Sequence, residues 1–270
     1  MPTAALIDTH CHLDASEFAD DRDAVVLAAI AAGVAAIVIP AVATASFVAV
    51  RDCCRRYPQC LPAYGMHPLF IDQATEPDLQ ILREWLRVES QTSTPPVAVG
   101  EIGLDFFVPG FDAARQEHFL IEQLKIAHDF DLPVLLHVRR AVDQVLKCLR
   151  RVKVRGGIAH AFNGSRQQAD EFIALRFKLG FGGAATHTGS TRIRKLAATL
   201  PLDSIVLETD APDIPPAWLM GRRNTPAELR PIAHVLADLR ALPFERFIEA
   251  AAANASSIIP SLQKILYPSV

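Results

Sequence analysis

The sequence predicts a closed (β/α)8 barrel that occupies residues 1–270 as a single domain. Three observations lead there. Short apolar, β-rich runs alternate with helix-like stretches along the chain, which implies parallel strands joined by helical crossovers. Eight such units fit into 270 residues, close to the about 250 residues typical of such a barrel. Half of the residues are hydrophobic and 21% are charged, enough apolar material for a large core and too much for wholesale disorder. The main rival, a doubly wound open sheet binding a dinucleotide, would need a Gly-x-Gly-x-x-Gly after a strand, and none is present.

In chain order, the first strand covers 4–10 and the helical pattern 20–32 ends at Gly33, a helix stop. Ile37-Val38-Ile39 makes a buried second strand, 35–41, which Pro40 ends. Helix 46–57 leads to strand 61–65, helix 78–90 to strand 97–101, and helix 113–130 to strand 133–138. Helix 141–151 then precedes strand 157–162, helix 165–175 precedes strand 178–182, and helix 190–200 precedes strand 204–209. Helices 226–239 and 243–255 close the pattern. Residues 24–50 carry no charge and are long enough to cross a bilayer. Their alanine richness, the Gly33 stop, the strand ended by Pro40 and the lack of a flanking Lys/Arg cluster favour a soluble reading, with no membrane partner.

Lys+Arg is 27 and Asp+Glu is 30, a net charge of -3, so the chain does not coat nucleic acid by bulk charge, though a local site could still hold a few phosphates. Five cysteines, at 11, 53, 54, 60 and 148, form neither a CxxC pair nor a zinc-finger spacing. With Met1–Thr3 lacking a basic signal region, the expected compartment is the reducing cytoplasm. No obligate protein partner is evident.

The ionisable residues collect at strand ends. The first strand ends in Asp8-Thr9-His10-Cys11-His12, and two residues of spacing point His10 and His12 to one side, with Cys11 facing away. The third ends at Gly65-Met66-His67-Pro68, and the fourth at Gly100-Glu101-Ile102-Gly103-Leu104-Asp105. The fifth ends at His137, the sixth at His160-Ala161-Phe162-Asn163-Gly164 and the eighth at Glu208-Thr209-Asp210. In a parallel barrel these ends share one rim, where active sites lie. His118, His128 and His234 fall on helices and have plainer structural roles; His187 is undecided. Arg150, Arg151, Lys153 and Arg155 form a solvated helix end.

Unpaired, the converging charges would each cost several kcal/mol, and a divalent cation pairs them. Imidazole with carboxylate suits Zn, Mn, Fe or Co, and the oxygen-rich half suits Mg. Six ligands (His10, His12, Glu101, His137, His160 and Asp210) exceed what one open catalytic ion needs. They suit two ions about 3.5–4 Å apart, bridged by a carboxylate. Glu101 is the natural bridge, and Asp210 would orient the attacking water or take its proton. No Gly-x-Ser-x-Gly elbow, P-loop or cysteine–histidine motif offers a rival chemistry.

The segments from Asp8 to Asp14, Gly65-Met66-His67-Pro68, Gly100 to Asp105, His137-Val138-Arg139, His160 to Gly164 and Leu207 to Pro212 resemble, in order, the motifs of the TatD family of metal-dependent hydrolases. The resemblance runs over nearly the whole chain. It implies an amidohydrolase-like (β/α)8 TIM barrel, two divalent ions and deoxyribonuclease activity. Carried over, His10, His12 and Asp210 would hold one ion, His137 and His160 the other, and Glu101 both. His67 matches a position near the substrate phosphate, and Gly221-Arg222-Arg223-Asn224-Thr225-Pro226 resembles the family's stretch after the last strand. Arg140 stands where many members have an acid, and Thr225 where they have Glu. The Arg-Arg pair and Asp213-Ile214-Pro215 look like the YjjV-type branch. These departures bear on substrate choice and leave the ligands intact.

The expected activity is therefore a metal-dependent hydrolase, a two-metal phosphodiesterase cleaving DNA ends or single strands with Mg, Mn or Zn. His67, Arg139, Arg222 and Arg223 are candidate phosphate donors; Arg139 could equally pair with a neighbouring acid. Phe106, Phe107, Phe162 and Trp218 could stack bases, Trp218 best placed and Phe162 better suited to the core. The alternatives are hydrolysis of a small amide or ester at the same rim, and a non-catalytic barrel keeping a structural metal, although a structural site would close with four ligands.

Overall fold

The computed structural model describes residues 5–219 and 221–266. Met1–Thr3 and Ala4, the start of the first expected strand, lie outside them. Eight parallel strands form one sheet in sequential order: β1 Leu6–Asp8, β2 Val34–Pro40, β3 Cys60–Tyr64, β4 Ala98–Asp105, β5 Val134–Arg139, β6 Gly157–Ala159, β7 Phe177–Phe181 and β8 Ile205–Leu207. Between them run α1 Arg22–Ala31, α2 Phe47–Arg56, α3 Glu76–Glu89, α4 Ala113–Asp129, α5 Val142–Arg151, α6 Arg166–Ala174 and α7 Thr191–Thr199. Helices α8 Leu229–Leu239, α9 Phe244–Ile258 and α10 Leu262–Leu266 follow β8.

The ends of β1 and β8 close the barrel. The Thr9 amide donates to the Leu207 carbonyl at 3.0 Å and the Asp210 amide to the His10 carbonyl at 2.8 Å. Asp8 ties the seam further, accepting from the Thr209 amide at 2.9 Å and from its hydroxyl at 2.5 Å.

Alternation along the strands divides the core. One set of strand residues, with Ile37, Ile39, Val99, Leu136 and Leu179, packs with helix residues such as Phe119 and Phe172. The other set, Ile7, Val38, Ala63, Leu135, Ile158 and Val206, forms its own cluster, joined by Ala255 of α9, Ile259 just past it and Leu262 of α10. That cluster fills the barrel below the rim.

Several expected boundaries move. Strand β4 continues to Asp105 instead of stopping at Glu101. Gly103 is a close-approach glycine, not a stop: with φ of 154°, a Cβ there would lie 1.9 Å from the His137 carbonyl oxygen. Helix α9 runs past Ala255 to Ile258, where Ser256 and Ser257 turn their hydroxyls onto carbonyls of their own helix. Strands β1, β6 and β8 stop two or three residues early, since the chain leaves the ladder where it turns toward the rim. Ala161 and Asp210, just past β6 and β8, have φ of 45° and 58°. The uncharged stretch 24–50 divides into α1, β2 and the start of α2. No helix among the described residues is long and apolar enough to cross a membrane.

Candidate metal centre

The rim at the C-terminal ends of the strands opens into a cavity of about 1520 Å³. At its floor lies Glu101, 2% exposed. Its two carboxylate oxygens face different partners. Oε2 is 3.2 Å from His10 Nε2 and 3.5 Å from His12 Nε2. Asp210 Oδ1 stands 3.5 and 3.8 Å from the same two nitrogens, which are themselves 3.3 Å apart. Oε1 lies 3.0 Å from both His137 Nδ1 and His160 Nε2, and these nitrogens are 3.4 Å from each other.

These spacings suit cations. Donors about 2.1 Å from a tetrahedral ion stand about 3.4 Å apart, close to the 3.3 and 3.4 Å that separate the paired imidazole nitrogens here. The groups His10–His12–Glu101, His10–His160–Asp210 and His67–Glu101–His137 each bring three ligand atoms within 4.8 Å of one another.

In the third group His67 differs from the other histidines. His67 Nδ1 accepts the Leu69 amide hydrogen at 3.1 Å, so its proton sits on Nε2, 3.5 Å from Glu101 Oε1. That makes His67 a hydrogen-bond donor into the cavity and a poor ligand. His137 is oriented the opposite way. Its Nε2 stands 3.0 Å from Asp105 Oδ2, and a carboxylate there accepts the proton, leaving the Nδ1 lone pair for an ion. Asp105 is fully buried and its Oδ1 accepts from the Phe107 amide at 2.8 Å. Sequence reasoning gave this residue no role. The signal available was its place four residues beyond Glu101 on the same strand.

Glu208 is a second such residue. Its carboxylate accepts from the Ala161 amide at 2.5 Å and comes within 3.8 Å of His160 Nδ1. Glycine makes room for it: a Cβ at Gly180 would lie 2.0 Å from Glu208 Oε2.

The electrostatics follow from burial and crowding. Burial, helped by neighbouring His160, pulls the His10 imidazole down to about 3, so it is neutral and able to coordinate. Burial also disfavours charge on His12 and His160, but the carboxylates of Glu101 and Asp210 outweigh it, pushing His12 up to about 9 and His160 up to about 10. Burial opposes ionisation of Glu101, yet His67, His10 and His160 hold its carboxyl well below the usual range. Burial raises Asp210 and pushes Glu208 up to about 8.

Thus the structure brings His10, His12, His67, Glu101, His137, His160 and Asp210 together. Arg139 lines the same cavity, 4.0 Å from Asp105 and against the Phe107 ring at 3.7 Å. Arg192, which the sequence did not single out, lines it too and donates to Asn163 Oδ1 at 2.8 Å. Three expected substrate contacts go elsewhere. Arg223 is held by Asp21 at 2.7 Å and lies over Phe18. Arg222 turns its Nε to the Leu219 carbonyl. Trp218 donates to Glu228 at 2.7 Å. None of the three lines the cavity. Asn224, bonded to the Thr209 and Asp213 carbonyls, pins this loop under the rim. Phe162 is buried in the core and Phe106 stacks on Phe111, which leaves Phe107 of the four aromatics on the cavity wall, 43% exposed. Cys11 points its thiol to the Ala211 carbonyl, and all five cysteines are buried and unbridged. His118 pairs with Glu76, His128 with the Lys153 carbonyl, His187 with the Pro215 carbonyl, and His234 stacks on Phe244.

Comparison with known proteins agrees with this geometry. The profile of a family described as TatD related DNase matches residues 7–260. Over 245 residues the chain is 39% identical to YjjV of Escherichia coli K12, named an uncharacterized metal-dependent hydrolase, covering 90% of this chain and 93% of that protein. A Haemophilus influenzae protein, also named an uncharacterized metal-dependent hydrolase, is 35% identical over 259 residues, covering 93% and 98%. The crystal structure of E. coli YjjV, described as a TatD homolog, superposes with a TM-score of 0.91 at 37% identity, over 96% of this chain and 99% of that one.

Proposed function

The chain belongs to the TatD family of metal-dependent hydrolases, and we propose that it is a two-metal phosphodiesterase cleaving DNA ends or single strands. One observation carries the two-metal reading: the oxygens of the single buried carboxylate of Glu101 face separate imidazole sets, His10 with His12 and His137 with His160. In this reading His10, His12, Glu101 and Asp210 hold one divalent ion, and Glu101, His137 and His160 hold the other. Mg, Mn or Zn would there polarise the phosphoryl group and lower the pKa of the attacking water.

The chain's own groups do the rest. Asp210, at the wall of the cavity, orients the attacking water and takes its proton. His67 donates from Nε2 to a nonbridging phosphate oxygen, a role supported by the Leu69 amide that occupies its Nδ1. Arg139 offers a planar fork to the same anion. Asp105 holds the imidazole of His137 in place through its bond to Nε2. The family description supports DNA as the substrate.

The test is an assay on end-labelled single-stranded DNA beside a panel of amide, lactone and small phosphodiester substrates. We expect cleavage of the DNA with Mg or Mn, its abolition by chelator, and a loss of orders of magnitude in Glu101→Ala with the fold retained. Turnover of the amides or lactones alone would refute the nuclease reading. Full activity in excess chelator would refute the metal chemistry.

A further inference from the structure

The mouth of the cavity is electrically lopsided. Its lining acids Asp14, Glu17 and Asp213 stand on the loops after β1 and β8, whereas Arg139 at the end of β5, Arg140 just beyond it and Arg192 in α7 stand on the other side with Phe107, where Asp143 at the start of α5 is bonded to Gln168. The arginines make that side the more favourable approach to the floor for a polyanion.

On that side three residues form a unit. The guanidinium carbon of Arg139 lies 3.7 Å from the centroid of the Phe107 ring and that of Arg140 lies 4.6 Å from it. Cation–π attraction holds each arginine against the ring. Two like charges on one small ring nevertheless repel, and an anion beside them relieves that repulsion. Arg140 makes no ion pair among the described residues, and the side chain of Arg139 is half exposed, with only a 4.0 Å approach to Asp105. Both are therefore free to take phosphate. Phe107 keeps an exposed surface in the cavity.

The unit is also fixed to the reacting centre. Asp105 receives the Phe107 amide on one oxygen and His137 on the other, and His137 faces Glu101. A base on Phe107 would thus be held in register with the scissile bond.

We propose that Phe107, Arg139 and Arg140 form a nucleotide subsite in which an unpaired base displaces a guanidinium from Phe107 and stacks in its place, while the arginines, turned off the ring, grip its phosphate, flanking the phosphate that is cleaved. The proposal deepens the phosphodiesterase reading and rests on it for the cleavage step. A base can reach the ring only when it is out of a duplex, so the subsite selects single strands or frayed ends.

The experiment measures binding and cleavage separately on the metal-loaded protein. Binding is read by fluorescence anisotropy of a fluorescein-labelled, cleavage-resistant phosphorothioate oligonucleotide of eight thymidines. Cleavage is read on the same sequence with ordinary phosphates and on methyl p-nitrophenyl phosphate, which has no base. Phe107→Leu and Arg140→Glu should each raise Kd about 10-fold or more, within the range of base–aromatic stacking. They should raise KM on DNA far more than they lower kcat. Their loss on the small diester should be at least about tenfold smaller than on DNA. A Kd within twofold of wild type in both variants, with melting temperatures unchanged, would overturn the subsite. Binding that depends on Phe107 without any cleavage would leave the subsite standing and refute the nuclease reading. Cleavage of DNA indifferent to both substitutions would do the reverse.

Discussion

Asp105→Asn is the sharpest perturbation of the centre, because it changes one proton and almost no volume. Asp105 Oδ1 accepts the amides of Phe107 at 2.8 Å and Val108 at 3.3 Å, so an asparagine must keep its carbonyl oxygen there. Its NH2 group then replaces Oδ2, 3.0 Å from His137 Nε2. An NH2 group donates, and His137 Nε2 must become the acceptor. The imidazole proton moves to Nδ1, the atom 3.0 Å from Glu101 Oε1 that should offer its lone pair to an ion. Burial alone would raise the Asp105 carboxyl, but its bond to His137 holds it below the usual range, so the native residue is a carboxylate at neutral pH and the contrast is complete. Loss of such an orienting partner costs about 10–100-fold in metal affinity or activity, or about 1.4–2.7 kcal/mol. Calorimetric titration of the chelated protein with Mn or Zn, with kcat/KM on the same preparation, measures both. Affinity and rate within twofold of wild type would refute the assignment of His137 as a ligand oriented by Asp105.

Gly180→Ala puts a Cβ 2.0 Å from Glu208 Oε2; such overpacking costs about 1–3 kcal/mol, and at about 2–4 °C per kcal/mol calorimetry should show a clear drop in Tm, an unchanged Tm contradicting the packing argument. For the chelated protein, His12 and His160 lie at about 9 and 10 against an ordinary 6.5. The stability their protonation gives is full below about pH 6.5 and disappears as pH climbs through those values. Glu208, raised from 4.5 to about 8, adds to the same trend up to that pH, so Tm should fall between pH 6.5 and 10; a flat or rising profile would contradict it. Arg223→Ala breaks an ion pair at the protein surface with Asp21, where such pairs contribute about 0–1 kcal/mol, and should leave cleavage of single-stranded DNA within twofold of wild type. A tenfold loss would return Arg223 to the substrate.

Much of this architecture is legible in the sequence because parallel strands bury both faces and read as short apolar runs, and because chemistry interrupts those runs only at one end. The His10–His12 spacing and the acid after Gly100 carry that signal directly. What escapes is set by contacts distant in sequence. Arg223 and Asp21 are 202 residues apart, and only the fold shows that the arginine is spent on a surface pair. Trp218 looks like a stacking platform until Glu228 claims its indole hydrogen. The left-handed conformations of Arg140, Ala161 and Asp210 turn strand ends into the cavity, and no local propensity announces them in residues other than glycine. The role of Asp105 depends on which nitrogen of His137 it faces, a matter of three-dimensional orientation.

The most direct trial of the whole account is anomalous scattering from crystals of the protein loaded with Mn. Two peaks should appear, one on each side of the Glu101 carboxylate, the first beside His10, His12 and Asp210 and the second beside His137 and His160, and both should vanish in Glu101→Ala. A single peak, or manganese bound anywhere that leaves Glu101 without an ion on both oxygens, would contradict the bridged pair.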